Sequence, residues 1–366
     1  MNEKVKNIIQ TLLFAICIFL GGIVTVILPD SDYSRSERRT LEDCPKISWE
    51  ALADGSFMDD FDAYVTDQFP ARDIFRGIKA FVARNLMGQK DVNDLYQADG
   101  YLAKMEYPLN QESISYASEK FNFLYDNYLK ESGSSVYFAV IPDKNIYLGE
   151  EYGRLHLEYK EICDYLQKQN TYATLIPLDS VMTKDSFYAT DTHWRQEMLP
   201  AVAKEIHTAM GNPYNGNYTL VDTKIPFQGV YMGQYALPVK TDSLSYLTNA
   251  TIEGLKVYNH ESGKEVPVYD LEKAKGEDGY EMFAGGYISL VTLENPNADT
   301  DKELIVFRDS FGGAISPLLA EGYRKVTLVD IRYLASAVLP YHLEFKGQDV
   351  LFLYSTLVLN ESSTLK

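Results

Sequence analysis

Short, uninterrupted apolar runs are the feature that most constrains the fold of this chain. Each run is four to seven residues long, and segments with helical periodicity, such as 157–169, lie between them. A strand that is apolar along its whole length is buried on both faces, which is typical of a parallel sheet covered by helices. The sequence therefore predicts an α/β fold with a parallel central sheet. The runs are 136–141, 172–178, 304–307, 326–329 and 350–354.

Residues 213–297 break this rhythm. The segment is rich in Gly, Tyr, Asn and Thr, and short stretches such as LKVYN and GYISLVTL alternate between apolar and polar residues. Alternation with a period of two indicates strands with one solvated face. We therefore predict a β-rich insertion at 213–297, which divides the α/β domain into a first part, 96–212, and a second part, 298–366.

The N-terminal region predicts a membrane anchor. Residues 8–28 carry no charge and are mostly apolar, and a helix needs about 20 such residues to cross a bilayer. Lys4 and Lys6 precede the run, so the positive-inside rule places the N-terminus in the cytoplasm and the remaining chain outside. A cleaved signal peptide and a buried soluble helix are the alternatives; the run is long and lacks an A-x-A-like cleavage site. Residues 1–29 are thus assigned as cytoplasmic tip and transmembrane helix.

The segment 30–95 is predicted to be a tether followed by a helical stalk. Its first 20 or so residues are polar and contain a proline, whereas Phe57, Phe61 and Val65 then recur at helical spacing. Pro70 interrupts this amphipathic pattern, so we expect two helices or one kinked helix.

Composition limits the class of partner. The formal net charge is −18, which argues against nucleic acid and against an anionic lipid surface as binding partners. Neutral or cationic partners, such as glycans, are more compatible with this charge. The three cysteines, Cys17, Cys44 and Cys163, have no metal-ligand spacing, so no metal site is predicted.

The segment SFYATDTHW, residues 186–194, contains the first candidate for chemistry. Asp191 and His193 are two residues apart, so in an extended segment both side chains project to the same side. The carboxylate can then hold one imidazole tautomer and leave the other ring nitrogen free as a base. The alternative is a surface aspartate beside a structural histidine.

The segment LIVFRDSFGG, residues 304–313, contains the second candidate. The apolar strand ends at Arg308, so Ser310 falls on the turn into a helix, at the carboxyl edge of the sheet where open α/β folds bind ligands. Backbone N–H groups of Ser310 and Gly312 would suit an oxyanion. A helix N-cap is the alternative. With His193 and Asp191, Ser310 completes the nucleophile, base and orienting acid of acyl transfer.

Several motifs resemble the DHHW family of bacterial proteins, relatives of the SGNH-hydrolase-like alginate O-acetylation proteins. They are TDTHW (190–194), IPDKNIY (141–147), RDSFGG (308–313) and DIRYL (330–334), with supporting likeness in YSRSERRTL and DQFPARD. The resemblance implies a flavodoxin-like, three-layer SGNH fold with permuted motif order and a triad of Asp191, His193 and Ser310. The chain departs from the family pattern at Thr192, and it lacks a GDS glycine and a GxND block.

Further site candidates surround these motifs: Gly312, Asp309, Arg332, Tyr188, Trp194 and Lys144. Asp309 either polarises the site or holds its loop. Arg332 either contacts a sugar or acyl oxygen or pairs with a neighbouring aspartate. The two aromatic residues either stack on a sugar ring or pack in the core, and Lys144 is expected near the site.

The sequence therefore predicts a membrane-anchored, extracytoplasmic O-acyltransferase or acetylesterase that acts on a cell-surface or exported polysaccharide. The alternative is a non-catalytic glycan-binding or assembly-scaffold protein with a degenerate SGNH fold. Triad chemistry requires neither a cofactor nor a metal. The resemblance also implies a multi-pass membrane acyltransferase as the source of acyl groups.

Overall fold

The chain forms two compact units in a computed structural model that describes residues 3–366, without the side chains of residues 17, 18, 21–23 and 26. The described residues up to Asn93, together with Val230–Pro238, form the first unit. The second unit consists of Asp94–Gly229 and Val239–Lys366 and contains all of the site candidates predicted from the sequence.

The first unit is mainly helical. Its elements are α1 (Glu3–Ile27), β1 (Tyr33–Ser34), β2 (Arg39–Thr40), α2 (Trp49–Asp54), α3 (Ser56–Asp67), α4 (Arg72–Phe81), a π-helical turn (Val82–Leu86) and, later in the chain, α9 (Val230–Tyr235). Pro70 lies between α3 and α4. The predicted division of the amphipathic segment into two helices is confirmed.

All of the apolar N-terminal run except its last residue, Leu28, lies within α1. Among the helices of residues 3–366, none is long and apolar enough to cross a membrane. The structure therefore does not support the predicted transmembrane helix.

The second unit combines strands and helices. Its strands are β3 (Leu95–Ala98), β4 (Tyr101–Lys104), β5 (Val136–Ile141), β6 (Thr174–Pro177), β7 (Thr219–Phe227), β8 (Asp242–Thr248), β9 (Lys256–Asn259), β10 (Lys264–Val266), β11 (Leu290–Glu294), β12 (Glu303–Arg308), β13 (Lys325–Val329) and β14 (Asp349–Ser355). Its α-helices are α5 (Gln111–Leu124), α6 (Lys144–Tyr152), α7 (Tyr159–Gln169), α8 (Pro200–Ala209), α10 (Ala250–Glu253), α11 (Gly312–Leu319) and α12 (Thr356–Asn360). A π-helical turn (Tyr125–Leu129) and short 3₁₀ turns complete it: Asp179–Val181, Lys184–Ser186, Gln196–Met198, Lys273–Lys275, Gly279–Met282, Ala320–Gly322, Ser336–Tyr341 and Ser362–Thr364.

The central sheet has the strand order β10-β9-β11-β13-β12-β14-β5-β6. The stretch from β13 to β6 is parallel throughout, as predicted. Successive side chains of a strand point to opposite faces. In β12, Leu304 and Val306 accordingly enter one buried apolar cluster, whereas Ile305 and Phe307 enter the other. The fully apolar strand pattern therefore marks a sheet with a core on each face.

The β-rich insertion differs from the prediction in one respect. Strands β7 and β8 pair separately from the central sheet, but β9, β10 and β11 extend that sheet in antiparallel orientation. Strand β11 pairs with β13 from Leu290↔Val329 onward. An uncovered edge of β13 would expose unpaired N–H and C=O groups. Pairing with β11 satisfies them, so the sheet is mixed rather than entirely parallel.

The carboxyl ends of the parallel strands lie at one edge of the sheet and position the candidate site. Strand β5 leads to Lys144, β12 to Ser310, and β13 to Asp330, while β14 ends at Ser355. Residues far apart in the sequence are therefore brought together where open α/β sheets bind ligands.

Replacing Phe121 by alanine should cost about 3–5 kcal/mol of unfolding free energy. This buried ring of α5 packs within 5.0–5.2 Å of the rings of Phe138, Phe352 and Tyr354. The matched control is Phe123→Ala, since Phe123 lies on the same helix but is 40% exposed; it should cost less than about 1 kcal/mol. Urea denaturation measures both, and equal losses would contradict this description of the core.

Candidate active site

Asp309 fixes the turn that carries Ser310. Its Oδ1 accepts the N–H of Phe311 at 3.0 Å, and its Oδ2 accepts the N–H and Oγ–H of Ser355 at 2.8 and 2.7 Å. Because Ser355 ends β14, the buried carboxylate joins the ends of two neighbouring strands. Of the two predicted roles for Asp309, loop holding is the one observed.

The segment that carries Asp191 and His193 folds back on itself. Phe187 and Trp194 form an isolated antiparallel bridge, and Tyr188 donates its N–H to the His193 carbonyl at 3.1 Å. The predicted extended conformation is therefore wrong. Asp191 Oδ1 instead accepts the backbone N–H of His193 at 3.0 Å, as in an Asx turn, and it lies 2.6 Å from Nδ1 of the same residue.

The structure brings Asp191, His193 and Ser310 together. Nε2 of His193 lies 2.8 Å from Oγ of Ser310, on the opposite side of the ring from Asp191. The aspartate is fully buried and the histidine nearly so. The hydrogen-bond network assigns a proton to Nδ1 and leaves Nε2 as the acceptor. A base in this state can withdraw a proton from the serine hydroxyl.

Lys144 binds the loop that carries Asp191 and His193, residues 188–193, which we call the aspartate loop. Its buried ammonium donates to the carbonyl oxygens of Tyr188 at 2.8 Å and Asp191 at 2.5 Å. Burial lowers the pKa of Lys144 to about 8, although nearby aspartates, Asp143 first among them, favour its charged form. Lys144 is near the site as predicted, but its contacts are those of a positioning residue.

Asp242, which lies on β8 of the β-rich insertion, also binds the aspartate loop. Its carboxylate accepts the N–H groups of Ala189 at 2.9 Å and Thr190 at 2.8 Å, and the hydroxyl of Thr190 at 2.6 Å. The hydroxyl of Thr190 in turn accepts the N–H of Gly229 at 2.9 Å. The conformation of the Asp-x-His segment is thus determined by side chains remote from it in sequence.

Tyr280 and Tyr287 lie beside His193, although the sequence did not predict them as site residues. The ring of Tyr280 stacks on the imidazole of His193 with centroids 3.9 Å apart, and that of Tyr287 lies 6.4 Å away. Burial raises the pKa of both phenols, so they stay neutral. The ring of Tyr280 thereby covers one face of the imidazole. Both belong to the β-rich insertion, where no motif or periodicity distinguishes them from the other tyrosines.

Tyr188 and Trp194 are core residues. Both side chains are fully buried, so the predicted alternative in which they stack on a sugar ring is wrong. The ring of Tyr188 packs against that of Phe227 at 4.9 Å. The indole Nε1–H of Trp194 donates to the carbonyl of Phe311 at 3.0 Å and so joins the histidine loop to the serine loop.

Arg332 forms the predicted salt bridge. Its Nε and Nη2 donate to the two carboxylate oxygens of Asp330 at 2.9 and 2.7 Å. This pairing uses the Nε and Nη2 edge of the guanidinium, so of the two predicted roles of Arg332 the ion pair with a neighbouring aspartate is the one observed. Arg308, fully buried nearby, donates to the carbonyl of Ile288 at 2.8 Å.

The prediction that the N–H of Gly312 is an oxyanion donor does not agree with this structure. Its N–H donates to the carbonyl of Asp309 at 3.1 Å and closes the turn. Phe311 donates its own N–H to the Asp309 carboxylate. Within the described part of the chain, the N–H of Ser310 has no acceptor and remains the backbone donor beside the nucleophile. A Cβ at position 312 would lie 2.7 Å from Cβ of Arg308, which explains the glycine as a packing requirement.

Gly229 is a further residue that the sequence did not indicate. A Cβ there would lie 2.2 Å from the carbonyl oxygen of Thr190 and 2.4 Å from Cβ of Asp191. The insertion therefore packs against the aspartate loop so closely that only glycine fits. Over residues 3–366, no three His, Cys, Asp or Glu side chains form a group that could hold a metal ion.

Comparison with solved structures relates the fold to known proteins. A DHHW family protein from Eubacterium siraeum is 18% identical, with a TM-score of 0.60 over 74% of this chain and 93% of that one. Bacillus cereus PatB1 with a sulfonyl adduct is 22% identical, with a TM-score of 0.59 over 72% and 95%. The O-acetyltransferase domain of Pseudomonas putida AlgJ is more distant, at 13% identity and a TM-score of 0.46 over 73% and 92%.

No family model and no curated protein matches the sequence. At identities of 18% and 22% the structural likeness establishes a shared fold. The relationship to the DHHW family that the motifs predicted is confirmed at that level.

The variant Gly229→Ala should displace the aspartate loop, because the new methyl group meets backbone atoms of Thr190 that cannot move aside. We expect a stability loss of about 1–3 kcal/mol and loss of the low-field proton resonance of the His193–Asp191 hydrogen bond. Gly254→Ala is the control, since its Cβ meets chiefly the Asn297 side chain at 3.2 Å. Proton NMR of both variants measures the effect, and an unchanged resonance in Gly229→Ala would contradict the packing described.

Proposed function

Because the chain shares its fold with a DHHW family protein, we propose that it is an SGNH-like O-acyltransferase or acetylesterase with Ser310 as nucleophile. The observation that carries this proposal is the 2.8 Å contact between His193 Nε2 and Ser310 Oγ. A serine paired with a buried His-Asp couple is the arrangement of acyl-transfer catalysis.

The first half-reaction forms an acyl-enzyme. Ser310 Oγ attacks the carbonyl carbon of an acyl ester while Nε2 of His193 takes the hydroxyl proton. Asp191 stabilises the imidazolium through Nδ1–H, and the N–H of Ser310 faces the developing oxyanion. The intermediate then collapses, its C–O bond breaks, and the departing alkoxide receives the proton from Nε2. The acyl group is left as an ester on Ser310.

The second half-reaction reverses these steps with a new acceptor. A hydroxyl group approaches Ser310, gives its proton to Nε2 of His193 and attacks the acyl carbon. Ser310 leaves and regains its proton from the same nitrogen. A sugar hydroxyl as acceptor gives O-acyl transfer, whereas water gives ester hydrolysis. The neutral, buried ring of Tyr280 stacks on one face of the imidazole and shields that face from water.

A solved relative supports the nucleophile. PatB1 of Bacillus cereus, which has this fold, is known with a sulfonyl adduct. Sulfonyl reagents are electrophiles that activated nucleophiles capture, and an activated serine is one such nucleophile. An adduct on a protein of this fold therefore supports nucleophilic chemistry in this chain.

The substrate and the location are also part of the proposal. The acceptor we propose is a cell-surface or exported polysaccharide, which is compatible with the acidic composition if the polymer is neutral or cationic. The acyl donor is a multi-pass membrane acyltransferase, and the main domain lies outside the cytoplasm.

Digestion by protease added to intact cells tests the location; protection of the chain until the cells are lysed would contradict it.

The variant Ser310→Ala should lower the kcat for hydrolysis of a chromogenic acetyl ester by about 10⁴-fold or more, because triad members act as a unit. His193→Ala should lower it similarly. Ser262→Ala is the control, because Ser262 lies on an exposed turn and should leave the rate unchanged.

A dedicated transferase can ignore water, so the same variants are also assayed with oligosaccharide acceptors and mass detection. Turnover of either kind that survives in Ser310→Ala would sink the proposal. Glycan binding without turnover in the unaltered protein would favour the non-catalytic scaffold.

A further inference from the structure

Helix α4 of the first unit exposes an apolar stripe. Ile74, Phe75, Ile78 and Phe81 are each between 53% and 65% exposed. Their spacing of one, four and seven residues from the first places them along one side of a helix. Leu86 and Met87, just after the helix, are also exposed. Consecutive large apolar side chains left in water on one helix face mark an interaction surface.

The same segment is basic in an acidic protein. Residues 72–90 contain five Lys or Arg and one Asp, a net charge of +4, whereas the whole chain carries −18. Arg72 pairs with Glu37 and Asp67, and Arg76 pairs with Glu37 and Asp73. Lys79 is exposed and forms no ion pair with any residue that the structure describes. Lys79 therefore presents an uncompensated positive charge to a partner, and salt confines its influence to about 8 Å.

A cavity of about 740 Å³ lies in this unit beside α4. Its walls include the basic residues Arg39, Arg72, Arg76 and Lys79 and the acidic residue Glu37. The three arginines are paired with Glu37, Asp67 and Asp73, so Lys79 is the lining cation with no ion pair among the described residues. Phe75 lines the cavity and also belongs to the apolar stripe. One helix thus presents guanidinium and ammonium groups, which bind phosphate, next to apolar rings.

We propose that the first unit docks on an anionic phospholipid surface through α4. Headgroup phosphates occupy the cationic cavity, and the stripe from Ile74 to Phe81 enters the boundary of the acyl chains. A short helix with apolar residues on one side and Lys and Arg on the other lies in the membrane interface in this manner. The inference is independent of whether α1 crosses the membrane and of the proposed reaction.

A tryptophan probe in the full-length chain tests the depth of α4. The chain has two tryptophans, of which Trp194 is buried and Trp49 is exposed, so Trp49→Phe provides a background with no exposed indole. In that background, Phe81→Trp is compared with Tyr341→Trp, a second-unit position that is 85% exposed. The vesicles are equimolar phosphatidylglycerol and phosphatidylcholine with brominated acyl chains.

We expect the emission of the Phe81→Trp protein to be quenched at least about twofold more strongly than that of the Tyr341→Trp protein. Bromine quenches an indole only at short range, so the quenching reports whether position 81 reaches the acyl chains. Equal quenching, or none, would overturn the proposal.

Charge reversal tests the headgroup contact. Lys79→Glu should weaken binding to the phosphatidylglycerol vesicles about tenfold or more, since each basic residue near the surface contributes to attraction. Lys204→Glu is the matched control, because Lys204 is exposed on α8 of the second unit. Equal affinities of the two variants, or equal binding to pure phosphatidylcholine vesicles, would contradict an anionic lipid surface as the partner.

Discussion

The candidate site depends on one hydrogen bond between two loops, from Ser310 to Nε2 of His193. It joins residues 117 positions apart in the sequence, so it requires both loops to be held independently. The Asp309 carboxylate fixes the serine turn to the end of β14. The indole of Trp194 then ties the histidine loop to the carbonyl of Phe311, the residue next to the serine. The nucleophile and the base are thus positioned by buried hydrogen bonds on each side of their contact.

Two charged side chains, Lys144 and Asp242, hold the aspartate loop in place. Lys144 is fully buried, and its ammonium is compensated by the backbone carbonyls of the Asp191 loop. Asp242 accepts hydrogen bonds from N–H groups of the same loop. A buried polar network stabilises one arrangement strongly only when its members are satisfied. Lys144 and Asp242 thus hold the backbone of this loop from its acceptor and its donor groups, whereas the buried hydroxyl of Thr192 in the same loop has no hydrogen-bond partner among the described residues.

The predictions that succeeded were those that rest on local signals. The parallel strands follow from uninterrupted apolar runs, and the break between α3 and α4 follows from Pro70. The triad residues were identifiable because a strand-end serine and an Asp-x-His pair supply complementary chemistry, and the structure brings them together.

The predictions that failed depend on tertiary structure. The N–H of Gly312 is occupied because the turn after β12 brings it to the carbonyl of Asp309. The stacking of Tyr280 on His193 depends on how the insertion folds. The antiparallel extension by β11 depends on pairing with the edge strand β13, which comes later in the chain; Leu290, for example, pairs with Val329. The net charge also averages over the chain and so does not indicate the basic segment 72–90.

The measurement that tests the central claim most directly is the site of covalent capture by an arylsulfonyl fluoride. After reaction of the full chain, peptide mass spectrometry locates the adduct. We expect one sulfonyl group on Ser310, formed rapidly in the unaltered protein and lost in His193→Ala, because the imidazole must withdraw the serine proton. An adduct on other residues only, or labelling of Ser310 at an equal rate without His193, would contradict the proposed role of Ser310 as an activated nucleophile.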